Sequence, residues 1–235
     1  MIFTDGACCG NPGPGGWGGI ILDPQARVRE LGGAEARTTN NRMELSAVIA
    51  ALKAVAPQNP RRADLYTDSS YVILGATKWL AAWKRRGWVS LGGRTVLNRD
   101  LWEQVDAVVL KISPERVRWH YVRGHSGFPG NERCDLIAVS FARGKPESLY
   151  SGPLAAYPCD LADLPQDAGV PRSAGGGPKK NSGGIYLSFM NGKLERHSLW
   201  SECRARVHGK SGAKFKKVHS QLEEAQTLKS WGLAS

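Results

Sequence analysis

The sequence predicts a mixed α/β domain followed by a second, smaller α/β unit. Short β-like runs come first along the chain and then alternate with helical patterns up to residue 142, which is typical of a mixed sheet flanked by helices. A stretch rich in Pro, Gly, Ala and Asp then separates these elements from a second group of apolar and aromatic residues. We therefore predict a domain at 1–145, a flexible linker at 146–184 and a small basic domain at 185–235.

The elements of the first domain follow from apolar spacing. A strand ends just before Asp5, a Gly/Pro-rich turn cluster follows, and the next two runs form a hairpin. The first helix is indicated by small and apolar residues at a period of 3.6. The predicted strands are Met1–Thr4, Trp17–Asp23, Val28–Ala34, Ala63–Thr67 and Val117–Val122. The predicted helices are Asn41–Val55, Ser69–Arg86, Arg99–Ile112 and Asn131–Ala142.

The end of the chain predicts its own small set of elements. Asn191 and Gly192 form a favourable pair for a tight hairpin turn after a strand-like run. The further predicted elements are a strand at Ile185–Phe189, a helix at Trp200–Val207, a strand at Gly212–Val218 and a helix at Leu222–Trp231. Residues 170–217 contain eleven Lys or Arg and two acids, so this unit is strongly basic.

Composition restricts the class of protein. The 235 residues carry a net charge of +11, which favours polyanionic partners such as nucleic acid, although a basic protein without a specific partner fits the charge equally well. The five cysteines form no CxxC pair, which argues against a disulfide framework and a zinc site. The longest apolar runs, such as Ala47–Leu52, are too short to span a bilayer. We predict a monomeric, cytoplasmic protein without membrane contact.

Four acids are candidate catalytic residues because each lies where a fold would hold it rigidly. Asp5 and Asp68 follow predicted strands, whereas Glu44 and Asp135 lie near the starts of predicted helices. If they met, their mutual repulsion would raise their pKa values, and divalent cations would relieve it. Mg²⁺ favours such oxygen ligands, and a pair of ions suits phosphodiester cleavage. Spacing alone leaves open that each acid is only a helix cap or a surface charge.

Four motifs occur in one order along residues 1–145 and together resemble type 1 ribonuclease H. They are TDGACCGNPGPGGWG from Thr4, TNNRMEL from Thr39, YTDSSYV from Tyr66, and GHSG from Gly124 followed by GNERCD from Gly130. The resemblance implies a ribonuclease H-like fold, with a mixed five-stranded sheet flanked by helices. It also implies an endonuclease that hydrolyses the RNA strand of RNA–DNA hybrids, leaving 5′-phosphate and 3′-hydroxyl ends.

The same resemblance implies the roles of individual site residues. Asp5, Glu44, Asp68 and Asp135 would bind two Mg²⁺ ions, with Mn²⁺ as a substitute. His125 would assist near the attacking water or the departing product, a role that suits an imidazole titrating near neutral pH. Taken alone, a histidine on a glycine-rich loop is more often only a surface residue.

Recognition of the hybrid is expected from small and amide-bearing residues near the acids. A hydroxyl group on one strand can be sensed by groups that both donate and accept hydrogen bonds. The residues that the resemblance assigns to the groove are Gly6, Cys8, Asn11, Asn40, Asn41 and Ser70. An alternative for the two adjacent asparagines is that they cap the first helix.

Two basic regions are predicted to contact phosphates. The segment between Ser69 and Arg99 contains no acid and resembles the family's basic protrusion, with Lys84, Arg85 and Arg86 as phosphate contacts. Its alternative is a solvated helix face with tryptophans in the core.

The C-terminal unit resembles the small hybrid-binding, viroplasmin-like domain, which often stands at the N-terminus instead. Its proposed contacts are Trp200, Phe215, Lys216 and Lys217, and duplex RNA is a further candidate partner. Its alternative is a basic solubilising tail.

Two rival functions fit parts of the same sequence pattern. The first is a non-catalytic RNA–DNA hybrid-binding protein on the same fold, which the presence of all four acids and His125 disfavours. The second is another nuclease of the same superfold, such as a transposase or an exonuclease. The Gly/Pro turn after Cys9 and the TNNRMEL motif disfavour that alternative.

Overall fold

A computed structural model describes residues 1–124, 127–161, 185–198, 200–207, 210, 212–218 and 221–233. The chain divides into two compact units, whose described parts are 1–161 and 185–233. Among the described helices, none combines the length and the apolar character that crossing a membrane requires.

The first unit is built on a mixed sheet with the strand order β5-β4-β1-β2-β3-β6. The strands are β1 (Ile2–Cys8), β2 (Gly13–Leu22), β3 (Arg27–Thr38), β4 (Ala63–Thr67), β5 (Val117–Tyr121) and β6 (Ser151–Pro153). Strands β1, β4 and β5 are parallel, and the remaining pairs are antiparallel. The predicted mixed sheet is confirmed, but the predicted number of five strands is wrong. The sixth strand has three residues and no apolar alternation, and its pairing with the edge of β3 defines it.

The helices largely match the predicted ones. They are α1 (Asn40–Val55), α2 (Ser70–Leu74), α3 (Leu80–Arg85), α4 (Arg99–Ile112) and α5 (Pro129–Ala142). The single helix predicted at Ser69–Arg86 is interrupted by one π-helical turn at Gly75–Trp79. Within that turn the Thr77 hydroxyl donates to the Ile73 carbonyl at 2.6 Å. A side-chain hydrogen bond of this kind competes with the regular backbone hydrogen bonds of an α-helix. The apolar spacing of the sequence does not reveal this competition.

Apolar residues cover both faces of the sheet because neighbouring residues of a strand point to opposite sides. Ile2 and Leu65 belong to the cluster under α1 and α4, whereas Phe3 and Tyr66 belong to the cluster on the α5 side. Trp102 of α4 is fully buried in the first cluster. Helices therefore lie on both faces, and the ends of β1 and β4 are held rigidly between two packed layers.

The first part of the segment predicted as a flexible linker is packed against the sheet and is therefore not a flexible linker. Residues 147–161 lie against the first unit, where Tyr157 is 8% and Leu161 is 2% exposed within the α5-side cluster. Their apolar residues have neither a helical nor a strand period, so the pattern gave no sign of this packing. Residues 162–184, the rest of the predicted linker, lie outside the described residues.

The second unit is a small α/β structure, as predicted. Its strands are β7 (Ile185–Met190), β8 (Lys193–His197) and β9 (Lys214–Val218), in the order β8-β7-β9. Its helices are α6 (Trp200–Val207) and α7 (Gln221–Ser230). Asn191 and Gly192 both have positive φ angles, of 51° and 74°, which fits the predicted hairpin turn between β7 and β8.

Candidate active site

Strand pairing brings two of the predicted acids to the same edge of the sheet. In the parallel pair of β1 and β4, Phe3 lies opposite Tyr66, so Asp5 and Asp68 each follow two residues later. Asp68 comes directly after β4, as predicted. The prediction that the first strand ends just before Asp5 is wrong, since β1 continues to Cys8 by pairing with Gly15–Gly18 of β2.

A helix-borne acid joins this pair. Glu44 lies in the second turn of α1, and one carboxylate oxygen each of Asp5, Glu44 and Asp68 lies within 4.8 Å of the others. Asp5 and Glu44 are 6% and 5% exposed, so their charges have little access to water. Asp135, in the second turn of α5, is half-buried, and its charge acts on both Asp5 and Glu44.

The close approach of α1 to β1 depends on Gly6. A Cβ atom at this position would lie 2.4 Å from the Glu44 backbone nitrogen and 2.7 Å from the Met43 carbonyl carbon. Any side chain here would push the start of α1 away from the strand. Gly6 also donates its N–H to Asp5 Oδ1 at 2.7 Å, so it orients one acid and admits another.

Burial and mutual repulsion control the protonation of these acids. Burial is the main cause that raises the pKa of Asp5 well above its ordinary value, and the charges of Asp68, Glu44 and Asp135 raise it further. Burial likewise raises the pKa of Glu44, followed by repulsion from Asp68. The cluster therefore holds negative charge at a free-energy cost that a cation would remove.

The donor atoms fit a divalent cation. Glu44 Oε1 accepts a hydrogen bond from Asn40 Nδ2 at 3.2 Å, but Glu44 Oε2 is buried without a hydrogen-bond partner in the part of the chain that is described. The three grouped acids supply only carboxylate oxygens, the hard ligands that Mg²⁺ and similar ions prefer. These residues can hold a metal ion.

One buried residue beside the acids was not singled out from the sequence. Asn131, in the first turn of α5, is 3% exposed, and its Nδ2 lies 3.4 Å from Asp68 Oδ2. Its Oδ1 is buried without a hydrogen-bond partner among the described residues. It lies inside a motif but carries no charge, and only the folded geometry brings it to Asp68.

Five of the six predicted groove residues lie at or beside the start of α1, and the sixth, Ser70, lies at the start of α2. Asn11 Oδ1 accepts the Asn40 backbone N–H at 3.3 Å, and the Asn41 side chain is exposed. The helix is preceded by Thr39, which makes no side-chain capping bond, so neither asparagine is the N-cap residue. Cys8 Sγ lies 3.4 Å from the Thr38 carbonyl oxygen. Ser70 is half-buried at the start of α2.

The predicted basic protrusion is exposed at the end of α3. Lys84, Arg85 and Arg86 all face solvent, although Lys84 forms an ion pair with Asp106 at 2.6 Å. Trp83 and Trp88 are half-buried against the core, which supports a packing role for these rings. His125 lies outside the described residues, so its predicted position has no structural account.

Three of the four residues of the second unit that were predicted to bind a duplex are exposed. Phe215 is 52% exposed on β9, and Lys216 and Lys217 are exposed beside it. Lys217 Nζ also lies 5.2 Å from the centre of the Tyr186 ring. Trp200 begins α6, and its side chain lies outside the described residues.

The fold and the acids define a class of protein, namely nucleases that hold divalent cations between carboxylates at the end of a mixed sheet. Comparison with known proteins is more specific. The family model described as RNase H matches residues 1–143. The chain belongs to the ribonuclease H family and is a ribonuclease H enzyme.

Individual relatives agree with this assignment. The chain is 54% identical over 153 residues to the ribonuclease H of Thermosynechococcus vestitus, covering 65% of this chain and 94% of the relative. It is 53% identical over 148 residues to that of a Cyanothece species, covering 63% and 92%. Among solved structures, LC9-RNase H1, described as a type 1 RNase H with the type 2 active-site motif, is 31% identical. It has a TM-score of 0.54 and covers 75% of this chain and 95% of its own. The resemblance to type 1 ribonuclease H is confirmed.

Proposed function

We propose that this enzyme hydrolyses the RNA strand of RNA–DNA hybrids with two Mg²⁺ ions and leaves 5′-phosphate and 3′-hydroxyl ends. The observation that carries the proposal is that one carboxylate oxygen each of Asp5, Glu44 and Asp68 lies within 4.8 Å of the others, with Asp5 and Glu44 buried. Carboxylates packed this closely repel one another, and cations that bind with the substrate would relieve this repulsion. Asp135 is the fourth proposed ligand, and Mn²⁺ is a chemically similar substitute.

The roles of the chain's own residues follow from their contacts. Bound cations would activate the attacking water and stabilise the leaving oxygen. Asn40 orients one oxygen of Glu44 and leaves the other for a cation, while Gly6 orients Asp5. We assign His125 a supporting role near the attacking water or the departing product, which an imidazole side chain suits in general. Water attacks phosphorus as the bond to the 3′ oxygen breaks, which accounts for both proposed ends.

Selection of a hybrid requires a group that senses 2′-hydroxyls near the acids. The exposed Asn41 amide and the Asn11 and Asn40 side chains lie at the start of α1. Amides both donate and accept hydrogen bonds, and so does a hydroxyl group. We propose that these three residues, with Gly6, Cys8 and Ser70, line the groove over the RNA strand.

The second unit is proposed to bind the same duplex. Its exposed Phe215 offers a stacking surface, and Lys216 and Lys217 offer charges for phosphates. Tethering such a unit to the nuclease would raise the effective concentration of the duplex and favour repeated cutting. Duplex RNA is a second candidate ligand for this unit. The monomeric state and the cytoplasmic location stay predictions from the sequence.

The rival function is a hybrid-binding protein without catalysis, and one assay separates the two. The purified full chain is incubated with end-labelled RNA–DNA hybrid, single-stranded RNA, duplex RNA and duplex DNA, each with Mg²⁺ or EDTA. We expect cutting of the RNA strand of the hybrid alone, and only with Mg²⁺. Tight hybrid binding without cleavage in either Mg²⁺ or Mn²⁺ would support the rival and contradict the nuclease.

Phosphate contact by the two basic regions predicts a defined salt dependence. Each Lys or Arg that neutralises a phosphate contributes about −0.9 to the slope of the logarithm of the association constant against the logarithm of salt concentration. We expect Arg85→Ala and Lys216→Ala each to make this slope less steep by about one unit for hybrid binding. Binding is measured by fluorescence anisotropy in EDTA, where no cleavage occurs. Arg196→Ala, which removes an exposed cation paired with Glu224, is the matched control and should leave the slope unchanged.

A further inference from the structure

Residues 147–161, here called the strap, are a feature of the first unit that has no role in the proposed function. The strap pairs with the edge of β3 through β6, and the Leu154 N–H donates to the Ala26 carbonyl at 2.7 Å. Tyr157 and Leu161 of the strap are buried with Phe3 in the cluster on the α5 side. The strap is therefore part of the folded nuclease unit.

The strap meets β3 and α5 at one buried carboxylate, that of Glu30. The Glu30 side chain has no solvent exposure. Its Oε1 accepts hydrogen bonds from Arg133 Nε and from the Tyr157 hydroxyl, both at 2.7 Å. Its Oε2 accepts from Arg133 Nη2 at 3.0 Å and from the Tyr150 backbone N–H at 2.8 Å. Two of the four donors thus come from the strap and two from α5.

Arg133 is two residues before Asp135 on α5. Successive residues of an α-helix are about 100° apart, so these two side chains project about 200° apart, on nearly opposite sides of the helix. Arg133 reaches β3 and the strap, whereas the charge of Asp135 acts on Asp5 and Glu44. A turn of α5 about its axis that moved one of these side chains would move the other.

Where α5 contacts β2 at Gly18, no strand side chain opposes rotation of the helix, so side-chain contacts elsewhere must fix this rotation. Gly18 of β2 faces the helix so closely that a Cβ atom there would lie 2.4 Å from the Cys134 carbonyl oxygen. Contact with a glycine sets how near the helix lies but offers no side chain to oppose its turning. The fork of Arg133, held by Glu30 on β3, provides the directional contact that the glycine lacks.

We propose that Glu30, Arg133 and Tyr157 are positioning residues that hold α5 in the rotation at which Asp135 serves the carboxylate cluster. The strap contributes to this arrangement because Tyr157 and Tyr150 donate the two hydrogen bonds to Glu30 that Arg133 does not. The proposal rests on the proposed function, in which Asp135 is a metal ligand. In this proposal the strap supports metal binding indirectly, through Glu30 and α5, without contacting the metal ions.

The test compares two tyrosines of the same strap. Tyr157→Phe removes the hydroxyl that donates to Glu30, whereas Tyr150→Phe removes a hydroxyl that donates to the Pro153 carbonyl and keeps the backbone N–H to Glu30. Arg133→Lys is the second test variant, since it keeps the charge but loses the fork. Calorimetry with Mg²⁺ alone gives the dissociation constant for the full chain. Urea unfolding and cleavage rates over a range of Mg²⁺ concentrations are measured in parallel.

We expect Tyr157→Phe and Arg133→Lys to weaken Mg²⁺ binding about three- to tenfold, at or below the range for partners that contact a metal ligand directly. At saturating Mg²⁺, kcat of Tyr157→Phe should stay within about twofold of wild type, because its acids are all present. The proposal would be overturned if Tyr157→Phe and Arg133→Lys lowered the free energy of unfolding but bound Mg²⁺ as tightly as Tyr150→Phe does. A wild-type protein that neither binds Mg²⁺ nor cleaves hybrid would overturn the proposed function and this proposal with it.

Discussion

Replacing Asp5 by Asn is expected to lower the rate of Mg²⁺-dependent hybrid cleavage at least about a thousandfold, which corresponds to about 4 kcal/mol of lost transition-state stabilisation. The same variant should be more stable than wild type in EDTA. Asn keeps the Oδ1 that accepts the Gly6 N–H and removes the charge that Asp68 and Glu44 repel. The gain in the free energy of unfolding should exceed about 0.5 kcal/mol, which is the largest change that most surface substitutions cause. Urea unfolding and a cleavage assay measure the two effects.

The pH dependence gives this prediction a second check. Because the folded-state pKa of Asp5 is raised, the native protein binds more protons than the unfolded chain above the ordinary pKa of an aspartate. Wild type in EDTA therefore becomes more stable as the pH falls through the raised pKa, and the advantage of Asp5→Asn shrinks. Asp23→Asn is the matched control, since Asp23 Oδ1 also accepts backbone N–H groups but stands in a turn. If Asp5→Asn were less stable than wild type in EDTA, the argument from repulsion would fail.

The sequence predicted the parts of the fold that depend on local pattern. Apolar alternation and helical spacing located the strands and helices that carry Asp5, Glu44, Asp68 and Asp135, and the order of the motifs indicated the family. These signals are strong because each element buries one face against the sheet. The extent of β1 was underestimated, since its second half consists of Gly6 and other small residues without the alternation of apolar and polar residues that is typical of a strand.

Features that arise from tertiary contacts could not be predicted from the sequence pattern. The strap has the composition of a linker, and only its fit beside Glu30 makes Tyr157 a buried residue. Asn131 likewise has no charge or period that singles it out, and its place beside Asp68 results from the way α5 lies on β2. The meeting of three carboxylates is intermediate between these cases. Each acid was predicted, whereas their separation depends on the register of β1 with β4 and on the approach of α1 at Gly6.

Replacing Arg133 by Leu is expected to destabilise the first unit by about 3 kcal/mol at neutral pH, because it leaves the buried Glu30 carboxylate without its counter-charge. In wild type, burial works to raise the pKa of Glu30, but hydrogen bonds from Arg133, Tyr150 and Tyr157 outweigh it, so the pKa lies below its ordinary value. Glu30 therefore stabilises wild type above the ordinary pKa of a glutamate, and this stability is lost as the pH falls through the lowered folded-state value. Urea unfolding from pH 7 to pH 3 measures the difference.

The two proteins should converge in acid, since a protonated Glu30 no longer needs the guanidinium, and the deficit of Arg133→Leu should then fall well below its value at pH 7. Arg99→Leu is the matched control, because Arg99 pairs with Glu103 on the surface, where both side chains are more than 40% exposed. Such a pair contributes about 0.3–0.5 kcal/mol. A deficit for Arg133→Leu that is equally small, or that persists unchanged in acid, would mean that the apolar packing of the strap, and not the charge on Glu30, joins α5 to β3.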